Sequence, residues 1–319
     1  MATWLLRRLL ILLVVLLGIT AMTFMFTRFA PGDPVLMMVN PEFGGGGPEF
    51  LARKRAELGL DQSIPIQYGA WLREVVSGNL GFSFVDGRPV THILFERFPE
   101  TFKLVAASML LAVLVGVPIG VLAALRQYSI FDYLATIMSL AVISTPSFFL
   151  ALAAIYVLSI ELRLLPTAGT RTPGGTSDLI DQFRHLLMPA TILGLGVAGP
   201  LVRYTRAAVL EVRNLDFITT ATSKGLKPMT IMRRHLLANA LIPIITVIAI
   251  QIPLLFAGSV VIEQIYAWPG MGQLAYTALQ FRDYPVLMGL TLAAAVLVLL
   301  SNLVADLAYV AVDPRVRLN

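Results

Sequence analysis

The chain has 319 residues, a net charge of +5, no cysteine and a mean hydropathy of +0.80. Only 13% of its residues are charged and 57% are hydrophobic, against roughly a quarter charged in a soluble domain, so the composition defines an integral membrane protein. Disulfides and thiolate metal sites are excluded, and His92, His185 and His235, each at least 50 residues from the next, offer no local metal-ligand spacing.

Six runs free of charged residues, 9–27, 104–125, 133–160, 186–202, 240–262 and 286–305, are long enough to cross ~30 Å of hydrocarbon as helices. The short alternating segments of a β-barrel are not visible. The first run follows Trp4, Arg7 and Arg8 and resembles a signal peptide. Pro31 after Ala30, bulky Arg28 two residues before it and a 19-residue apolar core argue instead for a retained helix. Next, 31–99 reads as a small extracytoplasmic piece. It opens with the turn Ala30-Pro31-Gly32-Asp33-Pro34 and continues through the flexible Gly44-Gly45-Gly46-Gly47 linker. A charged helix over 48–58 ends near Gly59, and a second helix over 64–76 is stopped by Gly78-Asn79-Leu80-Gly81. So small a cap must lean on the membrane domain or a partner. The remaining 100–319 reads as a five-helix membrane core.

The third run spans 28 residues, and Ser144-Thr145-Pro146-Ser147 near its middle predicts a kink whose freed carbonyls the hydroxyls satisfy. Pro118, Pro146, Pro189, Pro200, Pro243 and Pro253 recur within the runs. Singly each is ordinary in a membrane helix; together they suggest bent, closely packed helices of the kind a moving pathway needs.

Between the fourth and fifth runs lies a polar stretch, 203–239. Asp216 is expected to cap a short helix over 217–224, Gly225 to stop it, and Pro228 to open a second, basic helix over 228–238. A short helix on a glycine hinge suits a groove on a soluble partner; the plainer explanation is a basic loop that orients the protein. Lys224, Lys227, Arg233 and Arg234 can meet that partner or lipid phosphates. With six spans, both termini share one side with Arg7, Arg8, Arg126, Arg203, Arg206, Arg213, Lys224, Lys227, Arg233, Arg234, Arg315 and Arg317. The two short opposite loops hold only Arg163, Arg171, Arg184 and Arg282. Both termini are therefore expected to be cytoplasmic, and the excess charge reads as orientation, not nucleic-acid binding.

Catalytic chemistry finds little support. The four lysines follow Arg53, Phe102, Ser223 and Leu226, so no Walker-type phosphate loop exists. Neither Gly-x-Ser-x-Gly nor His-Glu-x-x-His occurs. No carboxylate falls inside a run; Asp132 and Asp306 stand at edges, the latter read as interfacial or capping even if the last helix runs on to Tyr309. A proton-driven transporter, which needs such a group, loses ground.

The ordered motifs resemble the membrane-spanning permease subunit of dipeptide and oligopeptide ABC importers along nearly the whole chain. They begin with Ala30–Pro34 and include Leu58-Gly59-Leu60-Asp61, Asn79-Leu80-Gly81, Pro99-Glu100-Thr101, Ser144–Phe148 and Leu165-Pro166-Thr167-Ala168-Gly169. Ser223-Lys224-Gly225-Leu226, Ile262-Glu263-x-x-Tyr266-x-Trp268-Pro269-Gly270-Met271-Gly272, Arg282-Asp283-Tyr284-Pro285 and Asp313-Pro314-Arg315-Val316-Arg317 complete the set. The resemblance implies an all-α fold with six transmembrane helices, like the permeases of type I ABC importers, under an extracytoplasmic helical cap. It also implies a coupling motif, Glu-Ala-Ala, three residues, Gly and a later Leu-Pro. Here Thr219-Thr220 replace its first two positions, Ala221 and Gly225 match, and Pro243 follows Gly225 by 18 residues.

Asp216, Ala221, Lys224, Gly225 and Leu226 are thus expected to couple to an ATPase, and Ser144, Pro146, Trp268 and Pro269 to belong to a pathway or gate. The Trp268-Pro269-Gly270 loop reads equally as a rigid anchor at lipid headgroups. Expected partners are a second homologous permease, two ABC ATPase subunits holding ATP and Mg, an external binding protein and membrane lipid. The setting is the cytoplasmic membrane of a bacterium or archaeon, and the chain itself binds no cofactor and is not an enzyme. Peptides are the expected cargo, with nickel chelates, glutathione or sugars as alternatives. An ion-coupled transporter working alone and a membrane scaffold without transport are the rival classes.

Overall fold

The computed structural model describes residues 2–29, 47–57, 59–175 and 178–312. The turn at 30–34, the linker up to Gly46, Leu58 and the motif at 313–317 lie outside them. The helices are α1 (Ala2–Phe29), α2 (Pro48–Glu57), α3 (Ile64–Val76), α4 (Val90–Leu125), α5 (Ile130–Ser144) and α6 (Ser147–Ala154), which runs on as a π-helix, Ile155–Glu161. They continue with α7 (Leu179–Arg213), α8 (Asp216–Ser223) and α9 (Pro228–Thr230), which passes through a second π-helix, Ile231–Leu237, into α10 (Ala238–Ile265). Finally come α11 (Met271–Gln280) and α12 (Tyr284–Val312). Among the described residues the only β pairing is an isolated bridge between Phe82 and Pro89.

Among the described residues five stretches are long and apolar enough to cross a membrane: Leu6–Phe29, Val90–Leu125, Leu179–Arg213, Pro243–Ile265 and Tyr284–Val304. The pair Ile130–Ser144 and Ser147–Glu161 makes a sixth if it is one span, but it is bent by 101°. The expected kink is therefore a break. Pro146 disfavours helix at the residue before it, and Thr145 is extended at φ −96°, ψ 125°. Pro146 then opens α6, its carbonyl accepting from Phe149 N and Leu150 N. The Thr145 hydroxyl donates to Ala141 O at 2.7 Å, so a carbonyl at the break does find a hydroxyl.

Two compact units partition the chain: 1–99 with 274–296, and 100–273 with 297–319. In the first, α3 lies against α1. The Phe24 ring meets Tyr68 edge-on at 5.6 Å and Trp71 at 5.8 Å, and the Thr20 and Tyr68 hydroxyls are 2.9 Å apart. The cap helix leans on the first span through aromatic burial, which stabilises more than the short helix does alone. Asp283, only 3% exposed, accepts from the Ser83 hydroxyl and from Phe84 N; this gives the Arg282-Asp283-Tyr284-Pro285 motif a structural role.

In the second unit α7 is the central post. In its apolar window 67% of residues are buried, against 12–33% for the other candidate spans. Close approach is built from small residues. A Cβ at Gly120 would stand 2.6 Å from Thr205 Cβ, and one at Gly194 2.7 Å from Ser108 O. Asp178 opens α7 by accepting from Asp181 N.

Candidate functional site

The polar stretch between α7 and α10 folds as a short helix on a hinge. Leu215 is the N-cap of α8 and Asp216 its first helical residue, one position from the expected cap; there its charge suits the positive helix end. At the other end Gly225 has φ +70°. Gly225 N donates to Thr222 O at 2.9 Å and Leu226 N to Ala221 O at 3.4 Å. That pair of bonds is a Schellman ending, which places glycine where the backbone turns left-handed. A Cβ at Gly225 would meet nothing within 4 Å, so crowding within this chain does not require glycine there.

Ile218 and Ala221, three residues apart, form the buried inner face of α8. Ile218 joins a cluster with Val209, Val212, Leu236 and Ala240, so the helix rests on α7 and on the π-helix leading into α10. Ala221 therefore serves packing within the chain. Asp216 and, beyond the helix end, Lys224, Gly225 and Leu226 are exposed, as is Met229 at 53%; Phe217, four residues before Ala221 and so on the same stripe, is still 40% exposed. The second basic helix does not stop at Ala238. It enters α10 without a break, because Thr230, Ile231, Leu237 and Ala238 all keep helical dihedrals.

The Glu263-to-Gly272 motif builds a second, rigid site. Glu263 is fully buried. Its carboxylate accepts from the Thr101 hydroxyl at 2.8 Å and from Gly272 N and Gln273 N at 2.7 and 3.2 Å. Glu263 thus caps the first turn of α11, supplying an acceptor for orphan N–H groups. Gly270 and Gly272 are needed for this approach, since a Cβ on either would fall 2.5 Å from its nearest neighbour, at Gly270 the Glu263 carboxylate. Trp268, 3% exposed, donates its indole N–H to Glu100 O at 2.9 Å. It is held within the protein, with Pro269 beside it in sequence. Ser144 and Pro146, the other expected pathway residues, are exposed at the break between α5 and α6.

Sequence reasoning missed Asp132 as more than an edge residue. It is 3% exposed, and Arg206 grips it with two bonds, Nε at 2.6 Å and a terminal amine at 2.8 Å. It also accepts from Tyr128 N at 3.0 Å. The pair joins the first turn of α5 to α7. Together with Glu263 it shows that carboxylates do enter the helical bundle, each with its acceptors occupied.

An all-α chain with five or six helices apolar enough to cross a membrane, joined in part by a polar hinged helix, has the architecture of a multi-pass membrane transport component. The chain is a member of the binding-protein-dependent transport system inner membrane component family. That family's model matches residues 116–318, and the model of its N-terminal part matches 1–105. It is 40% identical over 317 residues to the oligopeptide transport system permease protein AppB of Bacillus subtilis (strain 168), covering 99% of both chains. Identity to the dipeptide transport system permease protein DppB of Escherichia coli (strain K12) is 38% over 338 residues, again 99% of both. The glutathione transport system permease protein GsiC of Salmonella typhimurium is 34% identical over 317 residues, with 99% coverage of each. Among solved structures, a chain of the inward-facing MetNI methionine ABC transporter shares the fold with a TM-score of 0.55 at 21% identity, covering 69% of this chain and 96% of that one. An amino acid ABC transporter matches at 0.52 and 16%, covering 69% and 94%. The protein is an all-α ABC importer permease.

Proposed function

We propose that this chain pairs with a second homologous permease to form the pathway for peptides delivered by an external binding protein, and that two ATPase subunits drive it through α8. It stands in the cytoplasmic membrane with both termini inside. ATP and Mg belong to the ATPases; this chain lends no phosphate cradle. The observation that carries the reading is the two-sided α8. Its inner face is packed on α7 and the helix entering α10, while just beyond its end Leu226 and Met229 stand exposed beside Lys224 and Lys227. An apolar knob with a basic rim is what a soluble partner's groove would cover. Force on that knob passes straight into two spans and biases them between outward and inward states.

Peptide cargo rests on the oligopeptide and dipeptide names of relatives that are 38–40% identical. Glutathione, a modified tripeptide, is the second reading, because a relative of that name is 34% identical along the same length. Uptake of labelled dipeptide, oligopeptide and glutathione by vesicles holding both permeases tests this. Uptake is expected only with the ATPases and the binding protein present. Uptake that persists without ATPases would instead mark an ion-coupled transporter.

A further inference from the structure

We propose that a cavity in the first unit binds a zwitterionic phospholipid whose headgroup carries a primary ammonium. The cavity, about 320 Å³, lies among α1, α3, the 79–84 segment and the start of α12. That volume is within the range of small-molecule sites, about 300–1,000 Å³. Its walls are mainly apolar, from Phe24, Trp71, Phe82, Phe84 and Met288, and two opposite charges, Arg28 and Glu74, line it as well.

Those charges do not pair with each other. The Arg28 guanidinium sits over the Phe24 ring, 5.0 Å from its centroid, and no carboxylate among the described residues pairs with it. A partly desolvated guanidinium favours an anion, and phosphate suits its fork. Glu74 accepts from the Asn79 amide at 2.9 Å and keeps lone pairs for an ammonium. A phosphate and an ammonium on one short headgroup satisfy both charges.

The setting selects a lipid over a soluble zwitterion. Arg28 ends an apolar span, at the level where headgroups lie. Beside it Met25, Phe26 and Phe29 are 50%, 71% and 73% exposed, so an acyl chain can pass from the cavity along α1 into hydrocarbon. A peptide, also a zwitterion, carries no acyl chain to cover those exposed side chains.

The test is native mass spectrometry of the full-length chain from mixed micelles holding phosphatidylethanolamine and phosphatidylglycerol in equal amounts. Wild type should retain the ethanolamine lipid preferentially. Arg28→Gln should cut lipid retention about tenfold, as loss of one charge-assisted contact implies. Met288→Trp, which fills the cavity from another helix, should do the same. Glu74→Gln should keep the lipid but erase the preference between headgroups. If Arg28→Gln does not fold, the other two variants carry the test, with a thermal melt as the folding control. Equal retention of both lipids by wild type, or unaltered retention after Met288→Trp, overturns the proposal. So does displacement of the lipid by a dipeptide, which would make the cavity a peptide subsite.

Discussion

At Gly225 backbone cost and partner contact can be separated. The residue sits at φ +70° with open space around its missing Cβ. Gly225→Ala should therefore cost only the left-handed strain, about 1 kcal/mol, and leave most uptake intact. Gly225→Asp adds a similar strain and also a charge that a docked groove would have to desolvate. Normal membrane insertion with uptake lost and ATPase activity uncoupled is the expected result in reconstituted vesicles. Near-normal uptake by the Asp variant, at matched expression, would leave the loop as a mere orienting segment. Ala221→Glu is a poorer probe, because that side chain lies against the chain's own bundle; Leu226→Asp addresses the exposed hinge. Gly225 was legible beforehand because a glycine after a polar helix is a local signature. The carboxylate of Glu263 was not, since its partner Thr101 lies 162 positions away and no local pattern reports such a pairing.

Elements show the same division between local and distant causes. The helix expected over 64–76 forms with those bounds, because Ser63 and Pro65 open it and glycine follows it. The run 133–160 misled, since hydropathy alone counts 28 apolar residues and is blind to a 101° turn. Only the restriction that Pro146 imposes on Thr145 contains that turn, and its size is set by tertiary packing. What holds α5 against α7 at the other end is Asp132 with Arg206, 74 residues apart. Each single truncation, Asp132→Ala or Arg206→Ala, leaves one charge unpaired near the bundle. Breaking such a pair costs about 3–5 kcal/mol when buried, and the Arg206 side chain, 27% exposed, places it toward the lower figure. The double variant should lose clearly less than the sum of the two, in a denaturation cycle on the purified chain. Strict additivity would mean that the two side chains do not stabilise the fold as a pair.

For the molecule as a whole, the bent pair decides the topology. If Ile130–Ser144 and Ser147–Glu161 form one crossing, six spans place the two termini on one side; if they form a re-entrant loop, five spans place them on opposite sides. The basic residues favour six: twelve then gather on one face and four on the other in the short flanks, as the positive-inside tendency requires. Five crossings would put Lys224, Lys227, Arg233 and Arg234 opposite Arg7, Arg8 and Arg126. The same choice governs function, because α8 can meet a cytoplasmic ATPase only if the bent pair crosses. The chain has no native cysteine, so single cysteines report cleanly. Val85→Cys, at a position 57% exposed, and Lys227→Cys, on the exposed hinge, should label from opposite faces of intact cells with a membrane-impermeant maleimide. Val85 should react from outside, and Lys227 only after the membrane is opened. Labelling of both from outside would make the bent pair re-entrant and put the hinge out of the ATPases' reach.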